Sequence, residues 1–194
     1  MKSALDVHRA LLAAGIDHEM VRLPGPITGA DDLPQALTVD ASSCVVVRCY
    51  RTTDADGEHA LCGVLVRAGD TPDPVSLLDA IAAVSVRPAT AAEVNEATDY
   101  AAALVSPICL PDNVPLLADA AIGAAEVVYA ATGEGGVALG IRTRDLLVAS
   151  RARVTNLTAG PLAAEDRRGW QQAGHDDTSA QVLPLVPRSR RRTG

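Results

Sequence analysis

The stretch S-S-C-V-V-V-R-C-Y, Ser42 to Tyr50, decides how the fold is interpreted. Cysteine and valine are among the side chains most often buried, and three consecutive valines favour a β-strand. Two hydroxyl residues stand directly before this apolar run. The stretch is therefore either an ordinary buried strand or a strand that carries Ser42, Ser43 or Cys44 to a functional site.

A hairpin is predicted to begin with this strand. The turn sequence D-A-D-G at 54–57 separates the strand 43–50 from a second apolar run at 59–66, and a glycine-containing turn between two strands is typical of a hairpin. Periodicity and capping signals predict the other elements. These are strands at 18–23, 125–131 and 137–142, helices at 4–14, 73–84, 90–100 and 143–150, and a short helix after Thr28.

Helix ends are predicted from their capping residues. Thr28, Thr90 and Thr143 are the expected N-caps, and Glu93 stands at the capping-box position of the helix that Thr90 begins. Gly15 suits the C-terminal end of the first helix.

Three prolines interrupt the apolar stretch 101–119. Because proline cannot donate to a β-ladder, this stretch is expected to be an irregular loop lining a cleft and not part of a parallel sheet. Strands flanked by helices, with hairpins among them, indicate an α/β fold of the mixed α+β kind. Residues 1–159 are expected to form this domain, and residues 160–194 a disordered, basic C-terminal tail.

Charge and hydropathy exclude several classes of function. The net charge is −7; six arginines against four acidic residues give 160–194 a net +2, so the body carries −9. An acidic body argues against broad, non-specific nucleic-acid binding, and no DNA partner is expected, but it leaves room for a local pocket that takes one end of an RNA. No apolar run reaches the roughly 18–20 residues of a membrane span, and the N-terminal segment is typical of an amphipathic helix. We therefore expect a cytoplasmic protein with no membrane partner.

No metal site and no cofactor are expected. The four cysteines form no C-x-x-C pair and the four histidines no H-E-x-x-H. The chain also lacks a G-x-G-x-x-G after its first strand and a Walker motif. Lys2 is the only lysine beside sixteen arginines, so lysine chemistry is almost unavailable.

Four segments of the chain form a pattern: L-D-V-H-R-A-L-L-A-A-G-I-D-H-E-M-V-R-L, T-G-A-D-D-L-P-Q-A-L-T-V-D-A-S-S-C-V-V-V-R-C, E-A-T-D-Y-A-A-A-L-V-S-P and E-V-V-Y-A-A-T-G-E-G-G-V-A-L-G-I-R-T-R-D-L-L. Together they resemble the YbaK-type aminoacyl-tRNA editing domain, which is related to the insertion domain of bacterial prolyl-tRNA synthetases. The resemblance spans roughly residues 3–157 and rests on the order and spacing of all four segments. It implies a central, curved mixed β-sheet flanked by helices.

The resemblance implies hydrolysis of the ester that joins a small amino acid to the 3′ end of a mischarged tRNA, in trans. The tRNA 3′ end would be the partner, and an aminoacyl-tRNA synthetase is a candidate protein partner. The reaction needs a positioned water or substrate group and donors for a developing oxyanion.

Compared with the family pattern, this sequence changes four positions, in three segments. The family's functional lysine corresponds to Ser43, give or take one residue, with Cys44 as its neighbour. The two glycines expected before Ser-Pro are Ala103 and Leu104, and an acidic residue expected after the last turn is Ala138. The candidate catalytic residues are Ser43 and Ser106; the candidate substrate-binding residues are Thr28, Cys44, Ala103, Leu104, Pro107, Thr132 and Gly133.

These departures leave two hypotheses open. Either the pocket edits by backbone positioning with a different donor, or the domain is a catalytically degenerate editing fold that binds a ligand or partner. A thiol-dependent hydrolase acting through Cys44 is a third hypothesis, although a packed core thiol explains that residue better. Ser43 can equally be a hydroxyl that satisfies the backbone at a strand entry, and Thr132-Gly133 a plain hairpin turn.

Overall fold

The computed structural model describes residues 1–158, so the predicted tail at 160–194 lies outside the described residues. Eight strands in this part of the chain form one sheet, and five α-helices pack against it. The strands are β1 (His18–Arg22), β2 (Cys44–Thr53), β3 (His59–Arg67), β4 (Ser85–Pro88), β5 (Leu116–Asp119), β6 (Val127–Ala131), β7 (Val137–Arg142) and β8 (Arg153–Thr155). The helices are α1 (Ala4–Ala13), α2 (Leu33–Leu37), α3 (Pro74–Ile81), α4 (Ala91–Thr98) and α5 (Thr143–Ala149).

Strand β2 is the centre of a mixed sheet with the order β1-β7-β6-β2-β3-β5-β8. It pairs with β3 antiparallel along its length, as the predicted hairpin requires. Its other edge is shared: β6 pairs parallel with its first residues, and β4 pairs antiparallel with its last four. The sheet is mixed because β6 and β4, which both pair with this edge of β2, run in opposite directions. The predicted mixed α/β architecture with a curved sheet is confirmed.

The run Cys44–Val47 is a strand buried on both faces, which answers the question of what this stretch is. Val45 and Val47 face one apolar cluster, where they join side chains from α1, α4 and α5 such as Leu11 and Leu146. Cys44 and Val46 face a second cluster, which Leu33 of α2 and Leu77 of α3 complete. Strands covered on both faces read as continuous apolar runs.

Two predictions about elements are wrong. The helix predicted over 73–84 ends at Ile81, because Ala82 has φ 53° and stops it, and Ser85–Pro88 pairs with β2 as a strand. The stretch 101–119 is not all loop, because β5 pairs parallel with β3 and with β8. Pro115 stands just before β5, so its missing N–H does not interrupt the ladder. Its carbonyl accepts from Gly63 N at 2.9 Å.

The predicted caps have mixed outcomes. Thr90 caps α4 and forms the capping box with Glu93, as predicted. Thr143 is the first residue of α5 and not its cap, and its hydroxyl donates to Ala125 O at 2.5 Å. The residue that precedes the short 3₁₀ turn at 30–32 is Gly29, while Thr28 donates to the carboxylate of Asp32 through its amide and its hydroxyl, both at 3.3 Å.

Candidate functional site

Three segments that are distant in sequence meet beside the end of β6. Gly133 N donates to Leu104 O at 3.0 Å, which ties the turn 132–136 to the loop 101–107. Ile27 N donates to Gly135 O at 2.9 Å, which brings the segment 27–30 to the same turn. A Cβ placed on Gly29 would lie 4.0 Å from the Cβ of Ala103. The structure thus brings together the neighbourhoods of four predicted site residues, Thr28, Ala103, Leu104 and Gly133.

The turn 132–136 requires glycine where it meets the loop. Gly133 has φ +93°, and a Cβ there would lie 2.6 Å from Lys2 O and 2.8 Å from Cδ1 of Tyr100. Thr132 is buried, and its hydroxyl donates across the turn to Val137 O at 2.8 Å. The hydroxyl of Thr132 is therefore engaged by the hairpin itself.

Ser106 lies inside the protein, with no exposed surface. Its Oγ accepts from Ile108 N at 3.3 Å, and the hydroxyl of Tyr100 donates to Ile108 O at 2.7 Å. Burial raises the pKa of Tyr100, so the phenol stays a donor. The Ser-Pro bend is therefore held by its own short-range hydrogen bonds.

Pro107 lines a groove on a different side of this bend. The groove has a volume of about 420 Å³ and lies between α1, the segment 107–116 and the end of α5. Of the nine predicted site residues, Pro107 alone lines it.

Ser43 and Cys44 lie towards the opposite end of β6. Ser43 ends a 3₁₀ turn, is half-buried, and its amide donates to Asp40 O at 3.0 Å. Cys44 pairs in parallel register with Tyr129, four residues before Gly133. At about 3.3 Å per strand residue, Cys44 lies level with a point roughly 7 Å along β6 from its last residue, Ala131, and Gly133 follows two residues later in the turn. Ser43 is thus separated from the meeting point of the other segments.

Ionisation at these positions is limited by burial. Burial, with a smaller contribution from the charge of Asp40, raises the pKa of Cys44 to about 11. At neutral pH this residue is a thiol, which argues against a thiolate nucleophile. The other predicted site residues are Ser, Thr, Ala, Leu, Pro and Gly, whose side chains cannot act as general bases at pH 7. A base for ester hydrolysis would have to come from water or substrate.

Apolar side chains occupy one face of this region. Cys44, Leu104, Ala131 and Ala138 are all buried and belong to the same hydrophobic cluster. Leu104 and Ala138, two of the four positions where the sequence departs from the editing pattern, belong to this cluster, whereas Ser43 and Ala103 do not.

An ion pair that the sequence did not reveal fixes the segment 27–32. Arg48 donates two hydrogen bonds to the carboxylate of Asp31, at 2.6 and 2.8 Å, and Gly69 N donates to the same group at 3.0 Å. Burial pushes the pKa of Asp31 upward, but the hydrogen bonds from Arg48 and Gly69 outweigh it and hold that pKa below its usual value. In the sequence, the only sign of this ion pair is Arg48 itself, which directly follows the apolar run Cys44–Val47.

Lys2 is also part of this region, although the sequence places it far from every predicted site residue. Its carbonyl oxygen packs against Gly133, and its ammonium lies 5.3 Å from the centre of the Tyr100 ring. The chain's only lysine is therefore close to the candidate site in the fold, although it is far from that site in sequence.

Two kinds of feature are absent from residues 1–158. In this range no three His, Cys, Asp or Glu side chains converge so as to hold a metal ion. No helix in the same range has the length and apolar character that crossing a membrane requires.

The chain belongs to the aminoacyl-tRNA editing domain family, whose family model matches residues 25–148. Among solved structures, one proposed to be a trans-editing enzyme for prolyl tRNA synthetase is 25% identical with a TM-score of 0.68, covering 81% of this chain and 97% of that one. The hypothetical protein APE2540 is 24% identical with the same TM-score, over 79% and 99% of the two chains. A structure from work on epitope backbone grafting onto scaffold proteins is 23% identical, also at 0.68, over 81% and 97%. No curated protein matches the chain significantly.

Proposed function

We propose that this chain hydrolyses, in trans, the ester between a small amino acid and the 3′ end of a mischarged tRNA. The active unit is residues 1–159, an editing domain of the YbaK type. It works in the cytoplasm, where aminoacyl-tRNAs are used, and its protein partner is an aminoacyl-tRNA synthetase. Membership of the editing family and the likeness to a structure proposed to be a trans-editing enzyme support this function.

The observation that carries the proposal is the meeting of three backbone segments beside β6. The bonds Gly133 N to Leu104 O and Ile27 N to Gly135 O hold the segments in fixed relation. A surface built from backbone and small residues suits close approach of a sugar and base. An aminoacyl-adenosine is an elongated ligand, so we place its adenosine against Thr132-Gly133 and its ester between the loop 101–107 and Ser43.

Water is the proposed nucleophile. Its oxygen bonds to the ester carbonyl carbon, the bond from that carbon to the 3′ oxygen of the adenosine breaks, and a proton from water passes to that leaving oxygen. The products are a free amino acid and a tRNA with a free 3′ hydroxyl. Backbone amides of Ala103, Val105 and Ser106, with the hydroxyls of Ser43 and Ser106, would stabilise the developing oxyanion, a contribution that commonly reaches about 10²–10³ in rate per donor.

A second function is favoured by one specific observation. Leu104, Ala131 and Ala138 are buried in the same apolar cluster as Cys44, where an editing enzyme would need polar groups around the ester. On this reading the chain binds an aminoacylated or nucleotide ligand, or a protein partner, without catalysing a reaction.

A panel of mischarged tRNAs separates the two functions. Release of amino acid by the purified protein, lost at least tenfold in Ser43→Ala and little changed in Cys44→Ala, is the result expected for the deacylase. Higher turnover in a Ser43→Lys variant would show that position 43 corresponds to the family's functional lysine. Absence of turnover across the panel, with tRNA binding retained, would reject the deacylase in favour of the binding module.

A further inference from the structure

The ammonium of Lys2 joins the two ends of the loop that carries the candidate site. Its Nζ donates to Thr98 O at 3.0 Å, at the end of α4, and to Cys109 O at 2.6 Å, just after the Ser-Pro bend. These carbonyls flank the loop 99–108 on both sides. Hydrogen bonds from a charged donor are stronger than neutral ones, so one side chain fixes the separation of the loop ends.

The backbone of Lys2 contacts the same region twice more. Lys2 N donates to Asp99 O at 2.7 Å, and Lys2 O occupies the space that a side chain at Gly133 would need. The loop and the turn 132–136 thus both pack against one residue. Leu104 O, which accepts from Gly133 N at 3.0 Å, connects them directly.

The side chain of Tyr100 contacts both the Lys2 ammonium and the loop 99–108. Its ring lies 5.3 Å from the Lys2 ammonium, within the range of a cation–π contact. Its hydroxyl donates to Ile108 O at 2.7 Å, which closes the loop a second time, one residue inside the Lys2 bond to Cys109. Removing the ammonium would leave this inner closure in place, so the loop is expected to loosen without unfolding.

We propose that Lys2 is a positioning residue for the candidate site, which acts by holding the loop 99–108 against the turn 132–136. The catalytic part of this inference rests on the proposed deacylation. Lys2 does not act on substrate itself, since its ammonium is directed at the carbonyls of Thr98 and Cys109. A displaced loop would misplace oxyanion donors more than it would weaken substrate binding, so kcat would change more than KM.

The test compares Lys2→Met, Lys2→Arg and the control Arg144→Met. Methionine is unbranched and one atom shorter than lysine, and it removes the charge and the donors, whereas arginine keeps both the charge and the donors. Arg144 on α5 is an exposed cation, with 75% of its side chain accessible, so its variant matches the charge change away from the loop. Residue-resolved amide hydrogen exchange reports the loop directly, and steady-state kinetics on a mischarged tRNA report the site.

In Lys2→Met we expect the amides of Leu104 and Gly133 to exchange at least fivefold faster, while amides of β2 and β3 are unchanged. We expect kcat to fall about tenfold with KM within threefold, and Lys2→Arg to recover most of the loss. Unchanged exchange in the loop, or faster exchange with unaltered kcat, would overturn the inference. If the unmodified protein releases no amino acid from any tRNA, the proposed function fails, and the exchange result alone then decides whether Lys2 positions the loop.

Discussion

Hydroxyl side chains near the candidate site are mostly engaged with the chain itself. Ser106 Oγ accepts from Ile108 N, and Thr132 Oγ1 donates to Val137 O. The resemblance to the editing family makes Ser106 a candidate catalytic residue and Thr132 a candidate substrate-binding residue. Buried polar groups are hydrogen-bonded as a rule, so the same pattern follows from the need to satisfy the turn.

Gly133 is a residue whose replacement should be costly. Its φ of +93° is unfavourable for other residues, and a Cβ would lie 2.6 Å from Lys2 O. We expect Gly133→Ala to lower the free energy of unfolding by about 2–3 kcal/mol, measured by urea denaturation. Gly136→Ala, where a Cβ meets nothing within 4 Å, is the matched control. Equal stability of the two variants would show that the contact of Gly133 with Lys2 and Tyr100 is wrong.

At the scale of elements, α4 is fixed at its start by an ionic capping arrangement. Glu93 accepts from Thr90 N at 2.8 Å and from both terminal nitrogens of Arg87 at 2.9 and 2.6 Å. The hydrogen bonds from Arg87 are the largest effect on Glu93 and lower its pKa. Burial opposes them, the hydrogen bonds from Thr90 add to them, and the resulting pKa is about 2. Helix α4 leads directly into the loop 99–108, so its position also sets where that loop starts.

This arrangement predicts a pH-dependent contribution to stability. A carboxylate whose pKa is lower in the folded state stabilises the protein above its unfolded pKa of about 4.3, and this contribution is lost as pH falls towards 2. With allowance for its partial exposure, Glu93→Gln should cost about 1–2 kcal/mol at pH 7. The difference from the unmodified protein, measured by urea denaturation, should shrink between pH 4.5 and 2. Glu96→Gln on the same helix is the control, and a difference that stays constant with pH would contradict the assignment.

Elements with strong local signals could be predicted from the sequence, and those made by tertiary pairing could not. The hairpin of β2 and β3 and the capping box of α4 follow from residues next to one another. Strand β4 is four residues that pair with the far end of β2, and β5 follows directly after Pro115. Neither short strand has a period long enough to be distinguished from a helix end or a loop.

At the scale of the whole molecule, β2 separates two apolar clusters and places the candidate site at the end of its neighbour β6. The sequence indicated which segments belong to the site, because the loop 101–107 and the turn 132–136 do meet. It did not indicate that Lys2 packs between them, or that Cys44 lies level with Tyr129, two residues before the end of β6. Those placements depend on strand register and on packing of the N-terminal segment, which no local pattern encodes.

The central claim is that the segments 27–30, 101–107 and 132–136 form one surface for the aminoacylated end of a tRNA. Its most direct test is mapping of amide chemical shifts on titration with a non-hydrolysable 3′-aminoacylamido-adenosine. We expect saturable shifts at Thr28, Ala103 and Gly133, extending to Ser43, with none in α3. Shifts confined to the groove between α1 and the segment 107–116, or no saturable shifts at all, would contradict the claim.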